Sequence, residues 1–225
     1  MVKVILFDVD GTLIHTHGAG VEAFARAFHS LFNFPDTTKK ISFAGRTDIS
    51  LVKEYFRLNN YTPSQRDIED FFPCYISWLG RLIRQSDGAI CPGVKEFIAA
   101  AHKLPSNPLI GLLTGNIRLG AEIKLKHFGL WDEFKVGAFA DDSEDRDQIA
   151  RIAFKRANQM LDNKLQGNEV VVVGDTPYDI KCARAIGARA LAVSTGGYSR
   201  KELAIHKPDW LVNTLLEISP EQLNY

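Results

Sequence analysis

Two aspartates, two residues apart, follow the first apolar stretch of the chain. Asp8 and Asp10 come directly after residues 2–7, which are mostly apolar, and precede Gly11. Residues i and i+2 of a strand point to the same side, so both carboxylates can converge on one point. Two carboxylates about 5 Å apart repel by roughly 3 kcal/mol at an effective dielectric near 20. The spacing therefore indicates either an ordinary Asp-Gly turn or a site for a hard divalent cation such as Mg²⁺.

Two later groups of polar residues also follow apolar runs that are typical of strands. One group comes after residues 109–113 and the other begins after residues 170–174. The polar residues are Thr114, Gly115, Asn116, Asp175 and Asp179. The carboxyl ends of parallel strands meet at one edge of a sheet, where open α/β folds keep their sites. We therefore expect these residues and the aspartate pair to share one site.

Apolar periodicity predicts the elements that position these residues. Short apolar runs alternate with helical patterns at the start of the chain and after residue 91, which predicts an α/β core with a parallel sheet and helices on both faces. The predicted strands are residues 2–8, 109–114, 134–139, 170–174, 189–193 and 209–212. The predicted helices of this core are residues 94–103, 121–128, 143–161 and 177–186.

The segment between the first two strands differs, because its apolar residues recur at helical spacing. Its predicted helix starts are Val21, residues 45–48, a capping box at residues 62–65, and Pro73. The stretch directly after Leu13 is expected to be a mobile loop. We therefore predict a core of residues 1–14 and 89–225 and an inserted, small all-helical domain of residues 15–88.

The bulk composition excludes several classes of function. Lys plus Arg and Asp plus Glu are 27 each, so no net charge would attract nucleic acid or an anionic membrane. No apolar run reaches the length of about 18 residues that a membrane span needs. The three cysteines form no C-x-x-C pair, so we expect neither a disulfide framework nor a zinc site. We expect a cytoplasmic protein, a monomer or weak dimer, that binds no nucleic acid and no membrane.

Taken together, these motifs resemble those of the haloacid dehalogenase-like (HAD) superfamily of phosphotransferases. The most specific parts are residues 8–13, Asp-Val-Asp-Gly-Thr-Leu, and residues 174–179, Gly-Asp-Thr-Pro-Tyr-Asp. The resemblance covers nearly the whole chain and implies a three-layer, Rossmann-like core with a helical cap formed by residues 15–88. Asp10 favours phosphate transfer over dehalogenation, because an oxygen leaving group needs a proton and a halide does not.

The resemblance also implies roles for individual residues. Asp8 would attack phosphorus and form an aspartyl-phosphate, and Asp10 would act as general acid and then as general base. Mg²⁺ would be held by Asp8, by the backbone carbonyl of Asp10 and by Asp175. The residues that would bind the transferring phosphoryl group are Thr114, Gly115 and Asn116. Thr114 could also serve simply as a helix N-cap.

One position departs from the superfamily pattern. A lysine usually follows the third core strand, but this chain has no lysine between residues 135 and 155. Arg146 is the best substitute, because a guanidinium can bind both a phosphate oxygen and a carboxylate. The other interpretation is an exposed arginine that pairs with Asp142 or Asp145.

Two more residues keep two interpretations each. Asp179 would either cap the helix that begins near Pro177 or support the metal ligands from behind. Arg46 would either bind an anionic part of the substrate or pair with Asp48. The sequence does not decide between these alternatives.

The predicted activity is that of a Mg²⁺-dependent phosphatase acting on a small phosphorylated metabolite, with phosphoglycolate-like monoesters as the first candidates. A sugar-phosphate mutase of the β-phosphoglucomutase type is the alternative, because the same residues would serve a different phosphoryl acceptor. A non-catalytic HAD-like protein or a receiver-like phosphate-binding module is less consistent with the sequence. A receiver carries its accepting aspartate after the third strand and has no helical insertion.

Overall fold

The computed structural model describes residues 1–224 and is built around a parallel sheet. In chain order, the strands are β1 (Val4–Phe7), β2 (Ile14–His15), β3 (Ala89–Ile90), β4 (Leu109–Leu113), β5 (Val136–Ala138), β6 (Val170–Gly174), β7 (Arg189–Val193) and β8 (Trp210–Val212). Six of them form one sheet in the order β5-β4-β1-β6-β7-β8, with every pair parallel. The first strand is therefore central, between the two strands whose following residues are polar.

The register of these three strands brings their carboxyl ends together. Phe7 of β1 is paired with Leu112 of β4 and with Val173 of β6. Asp8 directly follows Phe7 and β1. The polar groups after β4 and β6 begin two residues beyond Leu112 and Val173, at Thr114 and Asp175. The predicted meeting of three distant polar motifs thus follows from ordinary parallel pairing.

Helices cover both faces of the sheet. In chain order, the helices are α1 (Ala19–Phe32), α2 (Asp48–Leu58), α3 (Gln65–Leu82), α4 (Val94–Ala101), α5 (Arg118–His127), α6 (Arg146–Met160), α7 (Pro177–Ala185) and α8 (Arg200–Ala204). β1 separates the layers, because Ile5 and Phe7 point into one apolar cluster, with α4 and α5, whereas Val4 and Leu6 point into another, with α6 and α7. Full burial of a side chain such as Phe7 contributes about 2 kcal/mol. The predicted three-layer α/β fold is confirmed.

The helices α1, α2 and α3 form an insertion between β2 and β3 with an aromatic core. Phe28 stacks on Tyr55 with ring centroids 3.9 Å apart, and Phe56 packs edge-on against the Phe28 ring. The chain leaves the core and returns to it side by side, because Ile14 of β2 pairs with Ile90 of β3. The domain boundaries given above stay a prediction.

Within residues 15–88, all of which are described, three α-helices form where four were predicted. The capping box belongs to Ser64 and Asp67, whose carboxylate accepts from the Ser64 N–H at 2.7 Å. The helix that starts there continues through Pro73, which is exposed. The buried stripe of Phe71 and Tyr75 runs past the proline. We attribute the continuation to the burial of these side chains, which offsets the cost of roughly 3 kcal/mol for a proline inside a helix.

The expected loop after Leu13 is mostly ordered structure. β2 follows at once and α1 begins at Ala19, so only residues 16–18 lie outside these elements. The short helix α8 was not predicted from the sequence; it begins at a capping box between Ser199 and Glu202. Within the described residues, no helix combines the length and the apolar character that crossing a membrane would require.

Candidate active site

Three buried carboxylates meet where β1 and β6 end. Asp8 follows β1, Asp175 follows β6, and Asp179 lies in the first turn of α7. Each offers an oxygen within 4.8 Å of those of the other two. Their exposed fractions are 5%, 2% and 1%, so water screens their charges poorly. The structure therefore brings the two acidic motifs of the sequence into one cluster.

Hydrogen bonds hold two members of this cluster in place. The Asp179 carboxylate accepts from the backbone N–H of Thr176 at 3.0 Å and from its hydroxyl at 2.7 Å, and Pro177 occupies the first helical position. Asp175 accepts from the Thr12 hydroxyl at 2.8 Å, which ties it to the turn after β1. The predicted cap by Asp179 is thus present, and its support of the metal ligands stays a prediction.

Arg146 is the cation of this cluster. It is the first residue of α6 and is buried; its guanidinium bonds the carboxylate of Asp179 and lies 3.7 Å from that of Asp8. Its Nε has no hydrogen-bond partner among residues 1–224. Asp142 is instead paired with Arg156, so the exposed pairing considered above is not found. The phosphate-binding role of Arg146 stays a prediction.

The charges of the cluster are unbalanced, because three carboxylates share one guanidinium. Burial raises the pKa of Asp8 to about 7; the charge of Asp179 adds to the rise and Arg146 opposes it. The pKa of Asp175 is raised well above its ordinary value, by burial first and then by Asp179 and Asp8. Hard oxygen donors with excess negative charge are the surroundings that Mg²⁺ prefers. The residues present therefore fit a divalent cation.

The carboxylate of Asp10 points to a different set of partners. Its Oδ2 accepts from Asn116 Nδ2 at 2.8 Å and from Lys124 Nζ at 2.6 Å. The same amide nitrogen of Asn116 donates to the Thr114 hydroxyl at 2.9 Å. Thr114 and Asn116 therefore lie beside the acid–base candidate, and the Thr114 side chain also hydrogen-bonds Asp8 of the acidic cluster. Their contact with a phosphoryl group stays a prediction.

The sequence reasoning missed Lys124. This lysine lies on α5, where it is 4% exposed, and its ammonium bonds both Asp10 and Asn116. One signal was available: Lys124 falls between Ala121 and Leu125 on the stripe that the helix buries. A lysine on a buried stripe needs an acidic partner, but helical spacing alone does not say which one.

The sequence reasoning also missed the role of Asp48 at the start of α2. Its carboxylate accepts from the Ile117 N–H at 2.7 Å, and its own N–H donates to the Gly115 carbonyl at 2.8 Å. A Cβ at position 115 would overlap the carbonyl oxygen of Arg46, so glycine permits this close approach. Residues 45–48 are thus the point at which the inserted helices contact the loop after β4.

We expect Asp48→Asn to change how stability depends on pH. Burial raises the pKa of Asp48 to about 7, although Lys124 and the Ile117 N–H oppose the rise. The folded chain therefore binds this proton more tightly than the unfolded chain does. The free energy of unfolding falls as pH rises from the ordinary carboxyl pKa of 3.8 through about 7. Asparagine keeps the acceptor for Ile117 but has no charge.

Urea unfolding of both proteins at about pH 5 and about pH 8 checks this. The variant should gain on the order of 2 kcal/mol relative to wild type at the higher pH. A difference in unfolding free energy that stays the same at both pH values would contradict the expectation.

Arg46 does not pair with Asp48, so that alternative is wrong. Its guanidinium donates to Glu54 at 2.9 Å and to the Ser50 carbonyl at 3.2 Å, which holds it along α2. The side chain is about one-quarter exposed and its residue lines the cavity described next. Substrate binding by Arg46 stays a prediction, and it would require the guanidinium to leave or share these partners.

A cavity of about 360 Å³ lies between the sheet edge and the inserted helices. Its polar lining includes Asp8, Asp10, Asp48, Asp175, Lys124 and Arg146. The opposite wall is apolar and comes from the insertion, with Phe24, Phe43 and Leu51 among its residues. This volume is near the lower end of those of ligand sites, which suits a small metabolite. The core and the inserted helices therefore both contribute to one site.

Comparison with known families identifies the chain. The model of a family described as haloacid dehalogenase-like hydrolase matches residues 5–193. The chain belongs to the haloacid dehalogenase-like hydrolases. The resemblance found in the sequence is confirmed, and the matched range contains all the carboxylates of the site.

Relatives of this HAD-like hydrolase carry several activities in their names. Pyrophosphatase PpaX of Bacillus cereus is 26% identical over 230 residues, which cover 97% of this chain and 95% of the relative. The crystal structure of CbbY from Rhodobacter sphaeroides with phosphate has a TM-score of 0.81, 22% identity and full coverage of both chains. β-Phosphoglucomutase from Clostridium difficile has a TM-score of 0.78 at 18% identity, over 100% of this chain and 96% of its own. At these identities the structures share the fold.

Proposed function

We propose that this HAD-like hydrolase is a Mg²⁺-dependent phosphatase that hydrolyses a small phosphomonoester through an aspartyl-phosphate. The observation that carries the proposal is the difference in surroundings between two aspartates of one turn. Asp8 lies in a buried, cation-seeking cluster with Arg146, whereas Asp10 is held apart by Lys124 and Asn116 at the same cavity. These different surroundings support a role for Asp8 in attack and for Asp10 in proton transfer.

Asp8 and Asp175, with the backbone carbonyl of Asp10, would hold Mg²⁺. The bound ion would screen the charge of Asp8 from that of the phosphoryl group. The proposed support from Asp179 is consistent with its two occupied oxygens, one bonded to Thr176 and the other to Arg146.

The chemistry proceeds in two half-reactions. In the first, an oxygen of Asp8 bonds to phosphorus, the ester P–O bond breaks, and Asp10 gives its proton to the leaving oxygen. In the second, Asp10 takes a proton from water, the water oxygen bonds to phosphorus, and phosphate leaves Asp8. Arg146 and the Thr114 hydroxyl would hold the phosphoryl oxygens through both steps.

Phosphoglycolate-like monoesters are the first substrates to assay, since the cavity suits a small molecule. The Bacillus cereus relative is named a pyrophosphatase, so the anhydride belongs in the same assay. The mutase alternative uses the same chemistry with a sugar phosphate as the phosphoryl acceptor, and no contact among the described residues of this site favours that acceptor over water.

The deciding experiment measures phosphate release from p-nitrophenyl phosphate and from a panel of phosphorylated metabolites and pyrophosphate, with Mg²⁺ and with excess chelator. Turnover of simple esters with Mg²⁺ alone supports a phosphatase. A strict requirement for a sugar bisphosphate would identify a mutase instead, and preference for pyrophosphate would replace the monoester by an anhydride. Full activity in chelator would contradict the metal requirement.

Gly196→Ala is expected to weaken Mg²⁺ binding. A Cβ at this position would overlap the carboxylate of Asp175 and displace it from the cluster. We expect the Mg²⁺ concentration for half-maximal activity to rise at least about tenfold, because a metal ligand would be misplaced. Gly197→Ala is the matched control, since nothing lies within 4 Å of a Cβ there. Equal behaviour of the two variants would argue against Asp175 as a ligand.

A further inference from the structure

The two carboxylate oxygens of Asp10 lie in different surroundings. Oδ2 accepts from Lys124 at 2.6 Å and from Asn116 at 2.8 Å. Oδ1 has no hydrogen-bond partner among residues 1–224. The side chain lines the cavity and is 41% exposed. Oδ1 is therefore the oxygen of this carboxylate that is left for a bound molecule.

The Lys124 ammonium is itself held in place. Its side chain is 5% exposed, and it donates to Asn116 Oδ1 at 2.6 Å as well as to Asp10. A Cβ at Gly20 would lie 3.6 Å from the ammonium nitrogen, so the start of α1 covers it closely. Burying an ammonium is costly unless its charge is paired and its N–H groups are bonded. The ion pair of Lys124 with Asp10 is therefore unlike a pair of flexible, exposed side chains on the surface.

We propose that Lys124 is a positioning residue that orients Asp10 so that Oδ1 exchanges the proton in both half-reactions; this rests on the phosphatase function proposed above. An oxygen that already accepts two N–H hydrogen bonds has little room for a proton of its own. In the first half-reaction the proton moves from Oδ1 to the leaving oxygen as the ester P–O bond breaks. In the second, a proton of water moves to Oδ1 as the water oxygen bonds to phosphorus and the bond to Asp8 breaks.

Esters with different leaving groups distinguish a lysine that positions Asp10 from a lysine that binds the phosphoryl group directly. An alkoxide needs a proton as it leaves, whereas p-nitrophenolate is a stable anion and needs little help. A misplaced Asp10 should therefore slow attack on an alkyl phosphate far more than attack on an aryl phosphate. A lysine that bound the phosphoryl group directly would weaken binding of both esters alike.

The test compares kcat/KM for glycerol 2-phosphate and p-nitrophenyl phosphate, because this ratio reports the first half-reaction and not the release of phosphate from Asp8. We expect Lys124→Met to lower the alkyl-to-aryl ratio of kcat/KM at least about tenfold. It should also give a burst of p-nitrophenol, since Asp10 would then be a poor base for water. Lys124→Arg, which restores a cation at this position, should recover part of the ratio.

Lys126→Met is the matched control, because that lysine lies on the same helix, is exposed and, within residues 1–224, forms an ion pair with Glu122 alone, at 2.7 Å. Thermal unfolding shows whether Lys124→Met folds. If it does not, Lys124→Gln replaces it in the comparison, because glutamine keeps a hydrogen-bonding head group in the same space.

Equal loss of kcat/KM on both esters, or a rise in KM for both at unchanged kcat, would overturn the positioning role alone. A wild-type protein that hydrolyses neither these two esters nor any other monoester of the panel refutes the proposed function itself.

Discussion

Asp8→Asn is expected to abolish Mg²⁺-dependent phosphate release, lowering kcat by roughly a thousandfold or more, about 4 kcal/mol. An amide cannot attack phosphorus to form the acyl phosphate, and it is a poorer ligand for a hard cation. The substitution keeps the size of the side chain and leaves Arg146 its bond to Asp179. The loss should therefore be one of chemistry and not of fold.

The stability of the same variant supplies the second measurement. Burial raises the pKa of Asp8 to about 7, so the folded chain favours a neutral group at this position. The bound proton stabilises the folded chain, and this stabilisation is lost as pH rises towards and through about 7. An uncharged amide should therefore leave the unfolding free energy unchanged or higher at about pH 8.

Phosphate release, thermal unfolding and intact-mass detection of a trapped aspartyl-phosphate check the prediction together. Asp162→Asn is the control, because that aspartate is exposed and its backbone is left-handed at φ 55°, a conformation that asparagine adopts readily. A well-folded Asp8→Asn protein that kept more than about one-hundredth of the wild-type rate would remove Asp8 from the role of nucleophile.

The sheet and its acidic motifs could be predicted because their signals are local. β6 and β7 match the predicted ranges, since each is a short and mostly apolar run that is followed by a polar residue. Once β1 and β6 are placed side by side in parallel, the positions of Asp8 and Asp175 follow from strand pairing alone. The cap of α7 was likewise readable, because Thr176, Pro177 and Asp179 have the spacing of a capping box.

The long-range contacts of the site, both within the core and between the core and the inserted helices, could not be predicted in this way. Lys124 meets Asp10 across 114 positions, and Asp48 meets Ile117 across 69. Such contacts depend on how far each helix is rotated about its axis and on where the insertion rests on the sheet. Propensity and periodicity do not contain these quantities. The prediction that a helix starts at Pro73 is wrong for a related reason. Burial of the side chains on either side of this proline determines whether the helix continues.

Arg146→Ala is expected to have the second large effect, on both rate and stability. The guanidinium is the only cation recorded within bonding range of Asp8 and Asp179 in the described part of the chain. Breaking a buried ion pair by removing one partner typically costs about 3–5 kcal/mol. The expected loss in kcat is at least about tenfold, or roughly 1.4 kcal/mol, because the phosphoryl group would also lose a donor.

The pH dependence of this variant tests the electrostatic explanation. Arg146 lowers the pKa of Asp8, so its removal should raise that pKa further. At about pH 5 the Asp8 carboxyl would be largely neutral in both proteins, whereas at about pH 8 the variant would have to keep it protonated or bury it charged without a partner. The destabilisation should therefore be larger at the higher pH, which urea unfolding at the two values measures. A loss independent of pH would indicate lost packing instead.

Arg146→Lys separates the cation from the fork-shaped guanidinium. A lysine restores the positive charge, so we expect kcat to stay within about tenfold of wild type while Arg146→Ala falls below that range. Arg156→Ala is the control on the same helix, since that arginine holds Asp142 at 2.7 Å outside the acidic cluster. If Arg146→Ala folds with an unchanged kcat, the arginine serves only to anchor Asp179. If both variants at position 146 lose activity equally, the planar guanidinium and not the charge alone holds the phosphoryl group.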